Sequence, residues 1–212
     1  MSYIMRIYVF TTVFLLPVCL QAGGRIFKDG GQFGLGVRNT VSAFSHGNIR
    51  EWGYGMGGQF RIQLTRRVNT EWFADVLYSY PGRNVQRMDY HIGWSVMYYL
   101  IDTHGYNRKW TPLVLAGHCF DHTRLNITGN PDARASRWNS AVQAGIGFHY
   151  NMTPQIDLTT TAQYMLHLGR ELHVHKSTDG KPVIEEHRNA AWEGHLLITF
   201  SMNYKFTRLW KS

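Results

Sequence analysis

The chain of 212 residues carries 22 Lys and Arg against 14 Asp and Glu, a formal net charge of +8, and is 44% hydrophobic. With 14% aromatic residues and 21 glycines, this composition excludes a disordered tail and suits extended strands, because aromatic side chains pack well on a pleated surface. The length is sufficient for one domain.

The first 22 residues, MSYIMRIYVFTTVFLLPVCLQA, predict a cleaved secretory signal peptide. Arg6 precedes an apolar core at residues 7–16, and Ala22 offers a small residue for cleavage. The core is too short for a permanent membrane helix. We therefore expect two parts, a signal peptide at 1–22 and one domain at 23–212.

Export also limits the partners and the cross-links of the chain. Cys19 lies in a sequence similar to a lipoprotein box, but Val18 stands where a small residue is expected, which disfavours lipidation. After cleavage only Cys119 remains, so no intramolecular disulfide can form. The basic balance does not indicate nucleic acid in an exported protein, since attraction to anionic lipid phosphates is a sufficient account of it.

Eight segments of the sequence alternate between apolar and polar or small residues with a period of two. In AVQAGIGFHYNMTPQIDLTTTAQYML, residues 141–166, two such segments flank the short break NMTP. This pattern predicts strands with one apolar face and one face of Gly, Thr and Gln. The predicted strands cover residues 32–44, 53–65, 70–80, 88–100, 111–122, 138–150, 155–168 and 192–206. Only the fifth strand has an ambiguous orientation, because odd and even positions of TPLVLAGHCF are both apolar and either set could face outward.

Two closed architectures use eight antiparallel strands, and they differ in which face is outside. A soluble lipocalin-like barrel would need a Lys- and Glu-rich outer face, whereas a membrane barrel is apolar outside and polar or small inside. The breaks alternate between short and long, and aromatic residues collect at both strand ends, as at two membrane interfaces. We assign Trp72, Tyr98, Trp110 and Tyr150 to the short-turn end, and Trp52, Tyr78, Tyr80, Tyr90, Trp138 and Trp192 to the long-loop end.

The last segment, LLITFSMNYKF, alternates to an aromatic end, and with the eight-strand pattern it resembles the small outer-membrane β-barrels of the OmpA, OmpX and OmpW class. The resemblance covers about Gln32 to Phe206, and TRLWKS after Phe206 departs from it. It implies an all-β fold, an eight-stranded antiparallel up-and-down transmembrane β-barrel with short periplasmic turns and long extracellular loops. It also implies an integral outer-membrane location, with outer-membrane lipid, lipopolysaccharide and the barrel assembly machinery as partners. Other outer-membrane proteins are further candidate partners.

Charged residues at the positions predicted to face inward indicate that side chains fill the lumen. Paired charges are the form in which ions tolerate burial in a narrow barrel. Arg38, Arg61 and Lys205 are expected to pair with Glu71, Asp75, Asp89 and Asp157. Such a network disfavours a conducting pore.

Histidines concentrate at the long-loop end and suggest a metal site. The stretch ELHVHK places His173 and His175 two residues apart, and His187 follows in the same loop with Glu185 and Glu186. Imidazole and carboxylate together suit divalent transition metals, so we predict His173, His175 and His187 as ligands. The alternative is that these histidines are metal-free polar residues of an interface and its loops.

The function predicted is non-enzymatic: a structural, loop-binding or accessory-subunit role in an outer-membrane complex, without catalytic residues or a cofactor. One alternative is a lipid A-modifying enzyme, since Ser45 with His46, His173 or His175 with Ser177, or Glu193 with His195 could form a catalytic set. The other alternative is a small-solute pore. A fold of this class does not choose between them.

Overall fold

The computed structural model describes the strands of the domain and two of their turns. The described residues are 30–46, 49–82, 85–101, 109–127, 134–168, 172–176, 182–186 and 194–210. They form β1 (Gln32–His46), β2 (Ile49–Gln63), β3 (Val68–Gly82), β4 (Val85–Tyr99), β5 (Trp110–Ile127), β6 (Arg134–Asn151), β7 (Ile156–His167), β8 (Leu172–Lys176), β9 (Pro182–Glu186) and β10 (Gly194–Arg208). Within these ranges no helix is long and apolar enough to span a membrane. The predicted signal peptide lies outside them.

Eight of the strands close into one antiparallel barrel. Each strand pairs with its neighbour in the order β1, β2, β3, β4, β5, β6, β7 and β10, and β10 returns to β1. The eight predicted segments each correspond to one of these strands, so the predicted fold class is confirmed. The sequence pattern missed β8 and β9, which pair only with each other, between β7 and β10.

The barrel has two distinct ends. At the turn end, residues 64–67 and 152–155 connect neighbouring strands by the same device. The hydroxyl of Thr65 accepts hydrogen bonds from the amides of Arg67 and Val68 at 3.1 and 3.0 Å, and that of Thr153 does the same two and three residues ahead. Threonine side chains that satisfy turn amides explain why these breaks are so short.

The opposite end, which carries β8 and β9, is called here the hairpin end. Strands β1 and β2 approach each other until only residues 47–48 separate them, and β3 and β4 until only 83–84 do. The predicted linkers SHGNIRE and PGRNVQR are therefore mostly strand. Backbone pairing continues beyond the segments with alternating apolar residues, because strand pairing depends on backbone hydrogen bonds and not on apolar side chains.

The strands are staggered around the barrel. Followed from Arg38 through β2, β3 and β4, paired residues reach Asp121 on β5. Followed the other way, through β10, β7 and β6, they reach Thr111 on the same strand. Asp121 is ten positions further along β5 than Thr111, and this offset is the shear of the barrel, which tilts every strand and sets a narrow lumen.

In the barrel strands, the face predicted to point outward does so. On β6, Ile146 and Phe148 are 64% and 55% exposed on the outside, whereas Gln143 is buried inside. The ambiguous β5 resolves in the same way, with Leu113 buried in the lumen and Phe120 exposed. A soluble barrel would bury its apolar face, so the orientation is that of a membrane barrel.

One row of aromatic residues lies near the turn end of the outer face. Trp72, predicted at that end, lies four residues from the start of β3. It is paired across the sheet with Phe60 on one side and Trp94 on the other. Its ring stacks on Phe60 at 5.9 Å between centroids and contacts Trp94 at 6.3 Å.

Candidate functional site

The turn half of the lumen contains a buried network of charged side chains. The guanidinium of Arg61 donates to Glu71 at 2.7 Å and to Thr159 at 2.8 Å, and its Nη1 lies 3.2 Å from Oδ1 of Asp157. Lys205 pairs with the second oxygen of Asp157 at 3.3 Å. Two cations thus share two carboxylates inside the barrel, and neither carboxylate is left uncompensated.

Arg38 continues this network towards the hairpin end. Its Nη1 lies 3.1 Å from Glu71 and its Nε 3.1 Å from Asp75, while the guanidinium carbon lies 4.1 Å from the centroid of the Phe73 ring. These contacts confirm the predicted pairing of Arg38, Arg61 and Lys205. The predicted role of Asp89 differs, because it pairs with Arg87 at 2.9 Å and accepts a hydrogen bond from Thr123 at 2.6 Å.

Glycines on the inward face make room for these large side chains. A Cβ at Gly57 would overlap Oδ1 of Asp75, and one at Gly93 would lie 2.7 Å from the Phe73 ring. Both contacts are closer than side-chain atoms tolerate. The glycines of the inner face therefore leave room for the side chains of Asp75 and Phe73, which contact Arg38.

The lumen also contains apolar layers that the sequence pattern did not predict. One cluster consists of Phe73, Leu77, Cys119, Ala141, Met165 and Leu197, and the other of Met97, Tyr99, Leu113 and Leu115. Packed against the ion pairs, they give the lumen the character of a protein core. A narrow barrel closes in this way, with its interior filled by side chains.

Three imidazoles meet near the hairpin end of the lumen. His91, His167 and His195 come from three strands, with ring centroids 6.1 Å apart for His91 and His195 and 4.8 Å apart for His167 and His195. Asp121 lies between two of them, 3.4 Å from Nε2 of His91 and 3.5 Å from Nδ1 of His167. All four residues are buried. The cluster brings three imidazoles together inside the lumen, and two of them lie beside one buried carboxylate.

No set of three or more His, Cys, Asp or Glu side chains in the described part of the chain is placed to hold a metal ion. The predicted ligands His173 and His175 lie on β8, where the structure describes the backbone alone, and His187 lies outside the described residues. The backbone register pairs His173 with Glu185 and His175 with Val183. The metal hypothesis on this hairpin stays a prediction.

Each catalytic set considered from sequence includes residues whose side chains the structure does not describe, so these sets stay predictions. Ser177 and Glu193 lie outside the described residues, and only the backbone of Ser45 and His46 is described. His195 is buried in the lumen beside other histidines. The structure instead reveals one nucleophile–base pair that sequence reasoning missed, His118 and Ser140, whose Nε2 and Oγ lie 2.6 Å apart on the outer face.

Among the side chains that the structure describes, no acidic group neighbours the His118–Ser140 pair. The carboxylates whose side chains are described are all buried in the lumen, on the other side of the wall: Glu71, Asp75, Asp89, Asp121 and Asp157. Imidazole and hydroxyl satisfy each other by hydrogen bonding at an apolar surface. The ambiguous parity of β5 concealed the pair in the sequence, since His118 could have faced either way.

No protein-family model matches the sequence, and no curated protein matches it. Solved structures resemble its fold. Neisserial surface protein A superposes with a TM-score of 0.60 at 14% identity, over 82% of this chain and 97% of that one. Ail, the attachment invasion locus protein of Yersinia pestis, gives 0.51 at 10% identity over 83% and 99%. The chain therefore has the fold of the small eight-stranded outer-membrane β-barrels.

Proposed function

We propose that this protein is a non-conducting, non-enzymatic integral barrel of the outer membrane. Its role would be structural, loop-binding or that of an accessory subunit, exerted from the hairpin end. The observation that carries this proposal is the filled lumen. Arg38, Arg61 and Glu71 are 2%, 4% and 6% exposed, and they span the lumen with ion pairs between strands. A pore would need hydrated charges there.

The location and orientation rest on the outer surface and on the two ends. The apolar outward face suits lipid, and a closed barrel leaves no unpaired strand edge in it. The short threonine turns suit the periplasmic side and β8 with β9 the extracellular side. Outer-membrane lipid and lipopolysaccharide would surround the wall, and the assembly machinery would engage β10 during insertion. Other outer-membrane proteins are candidate partners of the hairpin end.

Single-channel recording in planar lipid bilayers tests the closed lumen. The refolded wild-type barrel is expected to insert without stepwise conductance. A variant with Arg38→Ala, Arg61→Ala and Glu71→Ala removes the central pairs together and should conduct more than wild type if it folds. Reproducible conductance steps from folded wild-type protein would overturn the proposal.

The alternative function favoured by a specific observation is lipid hydrolysis by Ser140 and His118. Against it stands the absence of a described carboxylate on the outer face to orient His118. Barrel reconstituted with acylated lipid should release no fatty acid above the background of Ser140→Ala. Release by wild type that Ser140→Ala abolishes would establish an enzyme and refute the non-enzymatic role.

A further inference from the structure

The outer surface of three adjacent strands carries a patch of aromatic and basic side chains at the hairpin end. Tyr90 on β4, His122 on β5 and Trp138 on β6 are paired across the sheet in one row. The His122 ring lies 4.5 Å from that of Trp138 and 5.9 Å from that of Tyr90, centroid to centroid. The row is an aromatic shelf, the side-chain type that prefers the boundary between acyl chains and headgroups.

Two arginines lie beyond this shelf, further towards the hairpin end. Arg124 is exposed, and its guanidinium carbon lies 5.3 Å from the centroid of the Tyr90 ring. Its partner across the sheet is Ser136, and Arg134 follows two residues away on the same face of β6. Diagonal neighbours of this kind lie about 7–8 Å apart between Cα atoms, within reach of long side chains. Arg134 is exposed as well.

Among the residues whose side chains the structure describes, these two cations have no carboxylate beside them on the outer wall. Every Asp and Glu whose side chain the structure describes is buried in the lumen. Two neighbouring guanidinium groups repel each other, and the repulsion is relieved when an anion lies between them. Guanidinium groups match the oxygens of a phosphate in a bidentate manner and lose less hydration than ammonium groups do.

We infer that Arg124 and Arg134, with the shelf of Tyr90, His122 and Trp138, bind the phosphate of a lipid headgroup in the membrane leaflet at the hairpin end. The acyl chains of that lipid would lie below the shelf, along exposed apolar residues such as Phe120 and Val142. The shelf fixes the depth of the headgroup and the arginines supply the charge. The inference rests on the proposed outer-membrane location of the barrel, and it does not depend on whether the lumen conducts.

Native mass spectrometry of the refolded barrel in phosphatidylcholine nanodiscs tests this site. The probe is lipid A carrying its phosphates, and the control lipid is lipid A with the phosphates removed. Wild type should retain the phosphorylated lipid in preference to the control. The double variant Arg124→Gln with Arg134→Gln should retain about tenfold less, equivalent to about 1.4 kcal/mol.

Matched variants separate the site from general attraction to a basic protein. Arg208→Gln removes an exposed arginine at the turn end and should leave retention unchanged. Heat-shifted gel migration of each variant verifies that it is folded. Equal retention by wild type and the double variant would overturn the inference, as would equal retention of both lipids, an equal loss in Arg208→Gln, or displacement of the lipid by inorganic phosphate alone.

Discussion

Arg61 illustrates what single residues contribute to this barrel. Its guanidinium contacts Glu71 on β3, Asp157 and Thr159 on β7, and Ser201 on β10. Because all of these groups are buried, each charge depends on its partners for the solvation that water would otherwise supply. The network therefore couples strands from opposite sides of the barrel, in addition to the backbone ladders.

Replacing Arg61 by methionine should destabilise the folded barrel by up to about 3–5 kcal/mol, because Glu71 and Asp157 each lose one of their two buried cations. Equilibrium unfolding in urea, followed by tryptophan fluorescence in lipid vesicles, measures the change. Adding Glu71→Gln to Arg61→Met should recover part of the loss. If Arg61→Met costs no more than Arg208→Met at an exposed site, the ion pairs do not hold the lumen together.

At the scale of the element, β10 shows how one strand serves two environments. Its inward residues Thr199 and Asn203 are buried in the lumen, whereas Phe200 and Phe206 on the outside are 52% and 49% exposed. Phe200 lies at the middle of the strand and Phe206 near its turn end. The two phenylalanines thus offer the same side chain and exposure at two depths.

Phe200→Arg should cost about 2–4 kcal/mol of stability and Phe206→Arg about 0–1 kcal/mol, since an outward arginine is expensive only near the bilayer midplane. Each arginine variant is compared with the alanine variant at its own position, which removes the loss of the aromatic ring from the difference. Unfolding free energies in vesicles provide the measurement. Equal charge penalties at both positions would mean that the strand does not cross the bilayer at this register.

The β8–β9 hairpin is the element on which the metal prediction now depends. Residues paired directly across an antiparallel ladder share a face, so the register places His173, His175 and Glu185 on one face and Glu186 on the other. The sequence alone left open whether Glu185 or Glu186 would be the carboxylate ligand. The register favours Glu185.

Calorimetric titration of the refolded barrel with Zn²⁺ should give saturable binding that weakens below about pH 6.5, because imidazole must be neutral to bind. His173→Ala with His175→Ala should abolish the isotherm. Glu185→Gln should weaken it, and Glu186→Gln should not. Absence of saturable binding by wild type, or tight binding by the double histidine variant, would leave the histidines as metal-free polar residues.

At the scale of the whole molecule, closure is the dominant feature. Every barrel strand has two partners, so the wall presents no unpaired edge to lipid or to another chain. A wall of this kind unfolds cooperatively, since opening any seam exposes backbone groups that lipid cannot satisfy. The filled lumen adds core packing to that closure.

The barrel should therefore resist detergent at room temperature and migrate differently on gels before and after boiling. Membrane fractionation of cells should recover it with the outer membrane. Recovery in the soluble periplasm, together with identical migration of heated and unheated samples, would refute the membrane assignment.

The sequence by itself determined the number of barrel strands, their antiparallel order and the outward face of seven of them. It could do so because a period of two in apolar residues is a local property, and a narrow barrel leaves few ways to connect eight such strands. The pairing of Arg38, Arg61 and Lys205 with lumenal carboxylates also followed, since inward charges have few other partners. The β8–β9 hairpin escaped notice because its strands of five residues are too short to establish a period.

Only the tertiary structure decided which residues meet across the lumen and along the wall. The meeting of His91, His167 and His195 depends on the shear of the barrel, because the stagger of each strand fixes which residues share a level. The same stagger places His118 beside Ser140 and Arg124 above Tyr90. Alternation along one strand predicts which face a residue occupies but not its position along the barrel axis. Predicting a contact between distant strands requires both the face and that position.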